Sequence, residues 1–183
     1  MADFKLTYST MFNPPEELHK GFDKAVTKVK ANLGKEYGMF IDGKDVFADD
    51  KYEDASPVNT DWVLAVMQKG NATQANRAIE AARKAFPAWS RTPWQKRVQL
   101  VRKAAANIEK RIFELGAAMA LEVGKNRMEA LGEAQETADL IAYYCDQMEA
   151  NDGYAREMAR DPLPGFVSTN RSVLKPHGAW LVV

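Results

Sequence analysis

The sequence predicts an α/β fold that is rich in helix, and three observations support this. Short apolar runs on either side of Asp42-Gly43 predict strands in the first third of the chain. Apolar residues recur at helical spacing between residues 71 and 148. The run Trp180-Leu181-Val182-Val183 follows a Pro/Gly turn and is typical of a parallel strand buried on both faces. We therefore expect residues 179–183 to begin a buried parallel strand, in a sheet whose other strands are encoded later.

Composition places the chain among ordinary globular proteins. Its 183 residues are 46% hydrophobic and 27% charged, and the 25 basic residues equal the 25 acidic ones. Zero net charge gives no reason to expect binding to nucleic acid or to an anionic membrane. The single cysteine, Cys145, excludes an intrachain disulfide and fits a reducing compartment. We expect a cytoplasmic protein whose partners include neither nucleic acid nor membrane.

The first third combines a helical arm with short strands. After an irregular segment, residues 1–13, Pro14 and Pro15 precede an apolar stripe at helical spacing, which predicts a helix ending at Gly34. Residues 39–41 and 46–47 form the predicted hairpin, and residues 62–67 a third strand. Together these strands predict a small β-meander behind the arm.

The centre predicts a series of helices with recognisable ends. Asn71 with Gln74 is typical of a capping box, and Pro87 of a helix end. A second helix begins at Thr92, which we expect to cap it, and is interrupted near Lys110 or Arg111. Gly124 predicts a helix end, and a further helix is predicted over residues 128–148. Residues 165–168 and 171–174 predict a hairpin or a pair of edge strands.

Self-contained catalytic motifs are absent from the sequence. His19, His177 and Cys145 have no convincing metal-ligand spacing, so we expect no metal site. No glycine-rich phosphate loop occurs. Cys145 has no histidine near it in sequence, and its position on a helix favours a buried structural residue over a nucleophile.

Four carboxylates lie on the helix over residues 128–148: Glu129, Glu133, Glu136 and Asp139. Their spacings of three and four residues place neighbours on the same helical face. Such a face could hold a general acid and base, but a solvated helix surface has the same pattern.

Motifs in the second half resemble a known family. Leu121-Glu122-Val123-Gly124-Lys125-Asn126 is followed by a helix ending in Tyr143-Tyr144, and then by Lys175-Pro176-His177-Gly178. This order resembles the N-terminal portion of the aldehyde dehydrogenase superfamily, and most of all its pyrroline-5-carboxylate dehydrogenase branch. The resemblance spans nearly the whole chain but covers well under half of a full family member.

The resemblance implies a division of the chain. Residues 1–150 would be an N-terminal arm and part of the NAD-binding, or dinucleotide-binding, domain. Residues 151–178 would be a projecting oligomerisation hairpin, with copies associating through residues 153–178. The implied reaction is oxidation of L-glutamate γ-semialdehyde, a small aldehyde, to glutamate with NAD as cofactor.

One site residue carries over from the family. The resemblance assigns Glu136 to the substrate's α-amino group, because a carboxylate opposite an ammonium distinguishes an amino-acid aldehyde from a plain one. Lys125 and Asn126 match the family pattern and are interpreted as helix-terminus residues. The resemblance places the catalytic residues and those that hold NAD beyond Val183, so we expect this chain alone to be inactive.

Three alternatives remain open at this point. Glu136 could be a solvated helical glutamate without a ligand. The enzyme could belong to another substrate branch of the superfamily. The chain could also be a non-catalytic helical module, with an exposed apolar groove on helices 72–148 that binds a partner.

Overall fold

The computed structural model describes residues 6–7 and 12–182 and shows a mixed α/β fold in which helix predominates. In chain order, the elements are α1 (Glu16–Lys30), β1 (Lys35–Tyr37), β2 (Met39–Ile41), β3 (Lys44–Val46), β4 (Lys51–Ala55), β5 (Val63–Gln68), α2 (Ala72–Arg91), α3 (Trp94–Lys110), α4 (Ile112–Val123), α5 (Arg127–Ala150), a 3₁₀ turn (Asp152–Tyr154), β6 (Ala155–Glu157) and β7 (Arg171–Val173).

The hydrophobic core lies where α1, α4 and α5 meet. The predicted stripe of α1 is buried there, and α4 and α5 contribute small and apolar side chains. Gly116 allows α4 and α5 to approach closely, because a Cβ at this position would lie 2.8 Å from Cδ2 of Leu131. The core cluster is Leu6, Leu18, Phe22, Ala25, Ala117 and Leu131.

Helix α5 also packs along α3, which gives it neighbours on two sides. Cys145 is buried in this contact, with Sγ 4.0 Å from the carbonyl oxygen of Val98 on α3. The prediction that Cys145 is buried is confirmed. In the described part of the chain, no helix is long and apolar enough to span a membrane.

The predicted β-meander is wrong, although its hairpin and its third strand exist. Strands β2 and β3 pair antiparallel around Asp42-Gly43 as a separate two-stranded sheet. Strand β5 instead lies between β1, in parallel, and β4, antiparallel. Strands β1 and β4 were not predicted, because they are short, rich in charged residues and mostly exposed, so no apolar alternation marks them.

Two buried polar side chains hold this sheet in place. Ser56 is fully buried, and its Oγ donates to the carbonyl of Leu121, which ties the end of β4 to α4. Gln68 at the end of β5 donates from Nε2 to the Tyr37 carbonyl and accepts from the Ala48 N–H. Both side chains provide hydrogen-bond partners for backbone groups at the edges of the sheet and at the end of α4.

Helix α2 has the predicted capping box but not the predicted end or burial. Asn71 accepts from the Thr73 N–H, and Gln74 accepts from the Asn71 N–H. The helix continues through Pro87 to Arg91, although proline has no N–H to donate to the ladder. No residue of α2 is buried, and its alanine-rich face lies near the β2–β3 hairpin.

Other helix ends differ from the predictions by a few residues. Helix α1 ends at Lys30 rather than Gly34, which has a φ of 73° in the turn before β1. Thr92 does not cap α3: its Oγ1 donates back to the Ala88 carbonyl, and Pro93 occupies the capping position. The interruption at Arg111 and the left-handed Gly124 at the end of α4 are confirmed.

The predicted hairpin exists with a different first strand. Strand β7 pairs antiparallel with β6, which follows α5 almost directly. Residues 165–168, predicted as a strand, form none, because Gly165 at a φ of 79° belongs to a turn. Beyond β7 the chain has no regular structure up to residue 182.

The predicted buried strand at residues 179–183 is not formed in the described part of the chain. Trp180, Leu181 and Val182 are 74%, 86% and 90% exposed, and Val183 lies outside the described residues. The physical reason is that a central strand requires neighbours on both edges, and no described strand pairs with this segment. The prediction that residues 179–183 begin a buried strand of a larger sheet stays a prediction.

Candidate functional site

The candidate site is built on the first four turns of α5, whose start is firmly fixed. Gly124 ends α4 with a φ of 70°. Asn126 then caps α5 by accepting hydrogen bonds from the N–H groups of Met128 and Glu129, at 3.1 and 3.0 Å. Lys125 lies between these two conformationally restricted residues, so the direction in which α5 leaves the turn is set locally.

A cleft of about 730 Å³ runs along one face of α5. The opposite wall includes Leu6 and Thr7 from the N-terminal segment, and Tyr143 lies at the far end of the helical stripe. The charged residues that line the cleft are Lys125, Glu129, Glu133, Glu136 and Asp139. The structure therefore brings all four predicted carboxylates together in one concave surface.

The carboxylates of the cleft differ in their partners. Glu133 forms an ion pair with Lys125, and Asp139 accepts a 3.0 Å hydrogen bond from Nε2 of Gln135. The Glu136 side chain is exposed and takes part in no hydrogen bond or ion pair within residues 6–7 and 12–182. Glu136 thus remains available to a ligand, as does Glu129, whose exposed carboxylate also has no partner among these residues.

The charge of the cleft favours a cationic ligand. Four carboxylates face one ammonium group, which leaves three negative charges uncompensated. An ammonium group that enters the cleft gains charge-assisted hydrogen bonds of the kind carboxylates make best. Tyr143 and Leu140 add apolar surface at the same wall, which suits the hydrocarbon part of a small molecule.

Sequence reasoning identified the carboxylates but assigned no role in the cleft to Lys125 or Gln135. Lys125 precedes α5 in sequence. Its side chain reaches Glu133 on α5 because the chain turns at Gly124. Gln135 is a buried polar residue four positions before Asp139, a spacing that favours such a pair.

The residues considered for metal binding or nucleophilic chemistry lie outside the cleft. Nδ1 of His19 lies 2.6 Å from Nη1 of Arg127, which also pairs with Asp23. The ring of His177 packs edge-on against Trp180. Among the described residues, no group of three or more histidine, cysteine or acidic side chains is arranged to hold a metal ion.

Comparison with known sequences connects this chain to one family. Residues 46–183 match the aldehyde dehydrogenase family. A 1-pyrroline-5-carboxylate dehydrogenase of Geobacillus sp. (strain WCH70) is 35% identical over 169 residues, which cover 92% of this chain and 32% of the relative. The corresponding enzyme of Staphylococcus haemolyticus (strain JCSC1435) is 35% identical over 154 residues, which cover 84% of this chain and 30% of the relative.

Solved structures give the same relationship. A 1-pyrroline-5-carboxylate dehydrogenase from Thermus with bound NAD superposes with a TM-score of 0.76 at 28% identity, over 90% of this chain and 32% of that one. The enzyme from Mycobacterium tuberculosis has a TM-score of 0.73 at 17% identity, which shows a shared fold. The chain spans about a third of the length of the relatives it matches. The family pattern covers about three quarters of the chain, and a relative that is 35% identical covers 92% of it. The chain therefore belongs to the aldehyde dehydrogenase family.

Proposed function

We propose that the protein to which this chain belongs oxidises L-glutamate γ-semialdehyde to glutamate with NAD, as a step in the breakdown of proline. The relatives that support this are named 1-pyrroline-5-carboxylate dehydrogenases, and one similar structure contains NAD. The single observation on which the proposal depends is the unpaired Glu136 carboxylate in an acidic cleft.

In this proposal Glu136 recognises the α-ammonium group of the substrate. Its neighbours Glu133 and Asp139 already have partners, whereas Glu136 has none among the described residues. A carboxylate held on a capped helix can be aimed at an ammonium group at little conformational cost. An aldehyde without an ammonium group would leave Glu136 without a ligand, so the residue contributes to selectivity rather than to the chemical step.

The described residues do not fit NAD itself. The cleft is acidic, and its lysine is engaged by Glu133, so a pyrophosphate would meet uncompensated negative charge. The sequence also lacks a glycine-rich phosphate loop. We therefore propose that the groups holding NAD belong to a part of the protein other than these residues.

The residues that would carry out the chemical step of aldehyde oxidation are also missing from the cleft. Covalent oxidation of an aldehyde requires an accessible thiolate, whereas Cys145 is buried against α3. We infer that the 183-residue chain contributes substrate recognition and framework only. Purified by itself, it should form no NADH from glutamate semialdehyde, and NADH formation at the rate of an intact enzyme would contradict this.

Oligomer formation through residues 153–178 is part of the same proposal. The segment after α5 exposes apolar side chains, including Phe166 and Val167. Such a surface on an edge hairpin favours association with a second copy. A monomer at micromolar concentration in sedimentation experiments on the whole gene product would argue against it.

The proposal is tested by replacing Glu136 with alanine in the whole gene product. We expect kcat/KM for glutamate semialdehyde to fall about 10- to 100-fold, the effect of losing a charged hydrogen bond, while turnover of propanal is unchanged. The matched control is Glu109→Ala, an exposed glutamate on α3 outside the cleft.

The three alternatives are distinguished by the Glu136→Ala variant and by the aldehyde preference of the wild-type protein. A Glu136→Ala enzyme that retains its selectivity for glutamate semialdehyde would show that Glu136 is only a solvated residue. A wild-type protein that prefers aldehydes lacking an amino group would place it in another substrate branch. A non-catalytic module would show no dehydrogenase activity with any aldehyde.

A further inference from the structure

We propose that Lys125, through its ion pair with Glu133, sets the charge of the cleft so that it accepts an ammonium group accompanied by a carboxylate. The preferred ligand class is then the α-amino-acid zwitterion rather than the simple amine. This inference rests on the proposed function and concerns a positioning residue, since Lys125 acts through Glu133 and through the field in the cleft rather than on the reacting atoms.

The position of Lys125 is fixed from both sides. The residue before it is the left-handed Gly124, and the residue after it is the capping Asn126. Its side chain is about one-third exposed and lies over α5, where it is paired with Glu133. A lysine held in this way keeps its charge at one place in the cleft, in contrast to Lys20, whose side chain is 73% exposed and lies outside the cleft.

The charge count shows what this lysine changes. With Lys125 the cleft carries three uncompensated negative charges, and without it the count would be four. These groups line one cleft of about 730 Å³ along α5. Glu133, the partner of Lys125, is the i,i+3 neighbour of Glu136 on the helix, so the charge of this ion pair acts on a ligand bound at Glu136. A more negative cleft attracts a simple amine more strongly, but it also repels the carboxylate of an amino acid.

Selectivity between the two ligand classes therefore depends on Lys125. Glutamate semialdehyde and 4-aminobutanal form a matched pair, because the second molecule is the first without its α-carboxylate. An additional charge at about 7 Å changes a binding constant by roughly 3- to 10-fold when the effective dielectric constant is between that of protein and that of water. The ratio of kcat/KM values for the two aldehydes should respond by this factor.

The test is a double-mutant cycle in the whole gene product. Lys125→Met should lower the ratio of kcat/KM for glutamate semialdehyde to kcat/KM for 4-aminobutanal about 3- to 10-fold. The change should appear in KM, with kcat unchanged. Glu133→Gln should not lower it. The double variant, Lys125→Met with Glu133→Gln, restores the wild-type charge of the cleft and should return the ratio to within about twofold of wild type.

Two further variants separate charge from structure. Lys125→Arg keeps the charge and should keep the ratio. Lys20→Met removes an exposed lysine that pairs with Glu16 on α1, outside the cleft, and should leave the ratio unchanged. Dissociation constants for L-norvaline and butylamine, measured by calorimetry, repeat the comparison without turnover and should show the same dependence on Lys125.

Three outcomes would overturn the inference: an unchanged ratio in Lys125→Met, a double variant as impaired as Lys125→Met, or a Lys125→Arg variant that behaves like the methionine. The second outcome would mean that Lys125 contacts the substrate directly. Failure of the proposed function has a different signature, because Glu136→Ala would then retain full selectivity for glutamate semialdehyde whatever the lysine variants do.

Discussion

Helices α1 and α2 both carry an apolar stripe, and the final segment, residues 174–182, also contains apolar residues, but these residues differ in burial. In the region where α1 packs with α4 and α5, Leu18 and Leu131 are almost completely buried. In the region of α2 and the final segment, no residue of α2 is buried, and Leu181 is 86% exposed. The difference lies in the partners: α1, α4 and α5 supply each other's apolar surface, whereas α2 and the final segment have little or none in the described residues.

This comparison shows what an apolar stripe determines and what it does not. A stripe on a helix identifies the face that would gain from burial, at about 25 cal/mol per Å² removed from water. Whether that gain is realised depends on a complementary surface within reach. Stability should therefore be concentrated in the contacts of α4 and α5, and the exposed elements should contribute little.

The largest expected effect comes from truncating one leucine in each region. Leu131→Ala removes a side chain that is 1% exposed and packed against Gly116, and it should lower the free energy of unfolding by about 2–5 kcal/mol. Leu181→Ala should change it by less than about 0.5 kcal/mol. Urea unfolding followed by circular dichroism measures both, and equal effects would contradict the division into two regions.

A smaller effect should distinguish two glycines that share a left-handed conformation. A Cβ on Gly153, at a φ of 68°, would overlap the Trp94 indole on α3, so Gly153→Ala should cost about 2–4 kcal/mol. Gly165, at a φ of 79°, has open space around it, and Gly165→Ala should cost only about 1–2 kcal/mol. Similar losses in thermal unfolding would show that Trp94 moves aside and that this junction is not rigid.

The smallest expected effect concerns acid stability. Hydrogen bonds from Arg111 and from Lys28 lower the pKa of Glu114 to about 2. Because its folded pKa lies below the unfolded value, the stabilisation is complete above about pH 4.5 and is lost as the pH falls towards 2. Glu114→Gln should therefore flatten the loss of stability between pH 4.5 and pH 2, measured by urea unfolding at each pH.

A surface ion pair provides the control for this prediction. Arg171 and Glu157 pair across β6 and β7, but both side chains are well exposed. Glu157→Gln should change stability at neutral pH by less than about 0.5 kcal/mol. If Glu114→Gln kept the wild-type dependence on pH, the contact between α1 and α4 would not depend on this carboxylate.

Much of the local structure could be predicted because its causes are local. The capping box at Asn71, the hairpin at Asp42-Gly43 and the helix end at Gly124 each depend on a few neighbouring residues, and all three are confirmed. The charged strands β1 and β4 could not be predicted, because their pairing with β5 depends on residues far away in sequence. The candidate site is divided in the same way.

For that site, helical spacing alone placed Glu136 on one face with its neighbouring carboxylates, and family resemblance gave it a role. The ion pair between Lys125 and Glu133 required the chain to turn at Gly124, and the second wall of the cleft required Leu6 and Thr7 to approach α5 from far away in sequence. The sequence by itself determined which faces of the helices are apolar or acidic, because side-chain direction follows directly from helical periodicity. Only the tertiary structure decided which of those faces are covered and which line a cleft, because burial depends on a second surface that local rules do not specify.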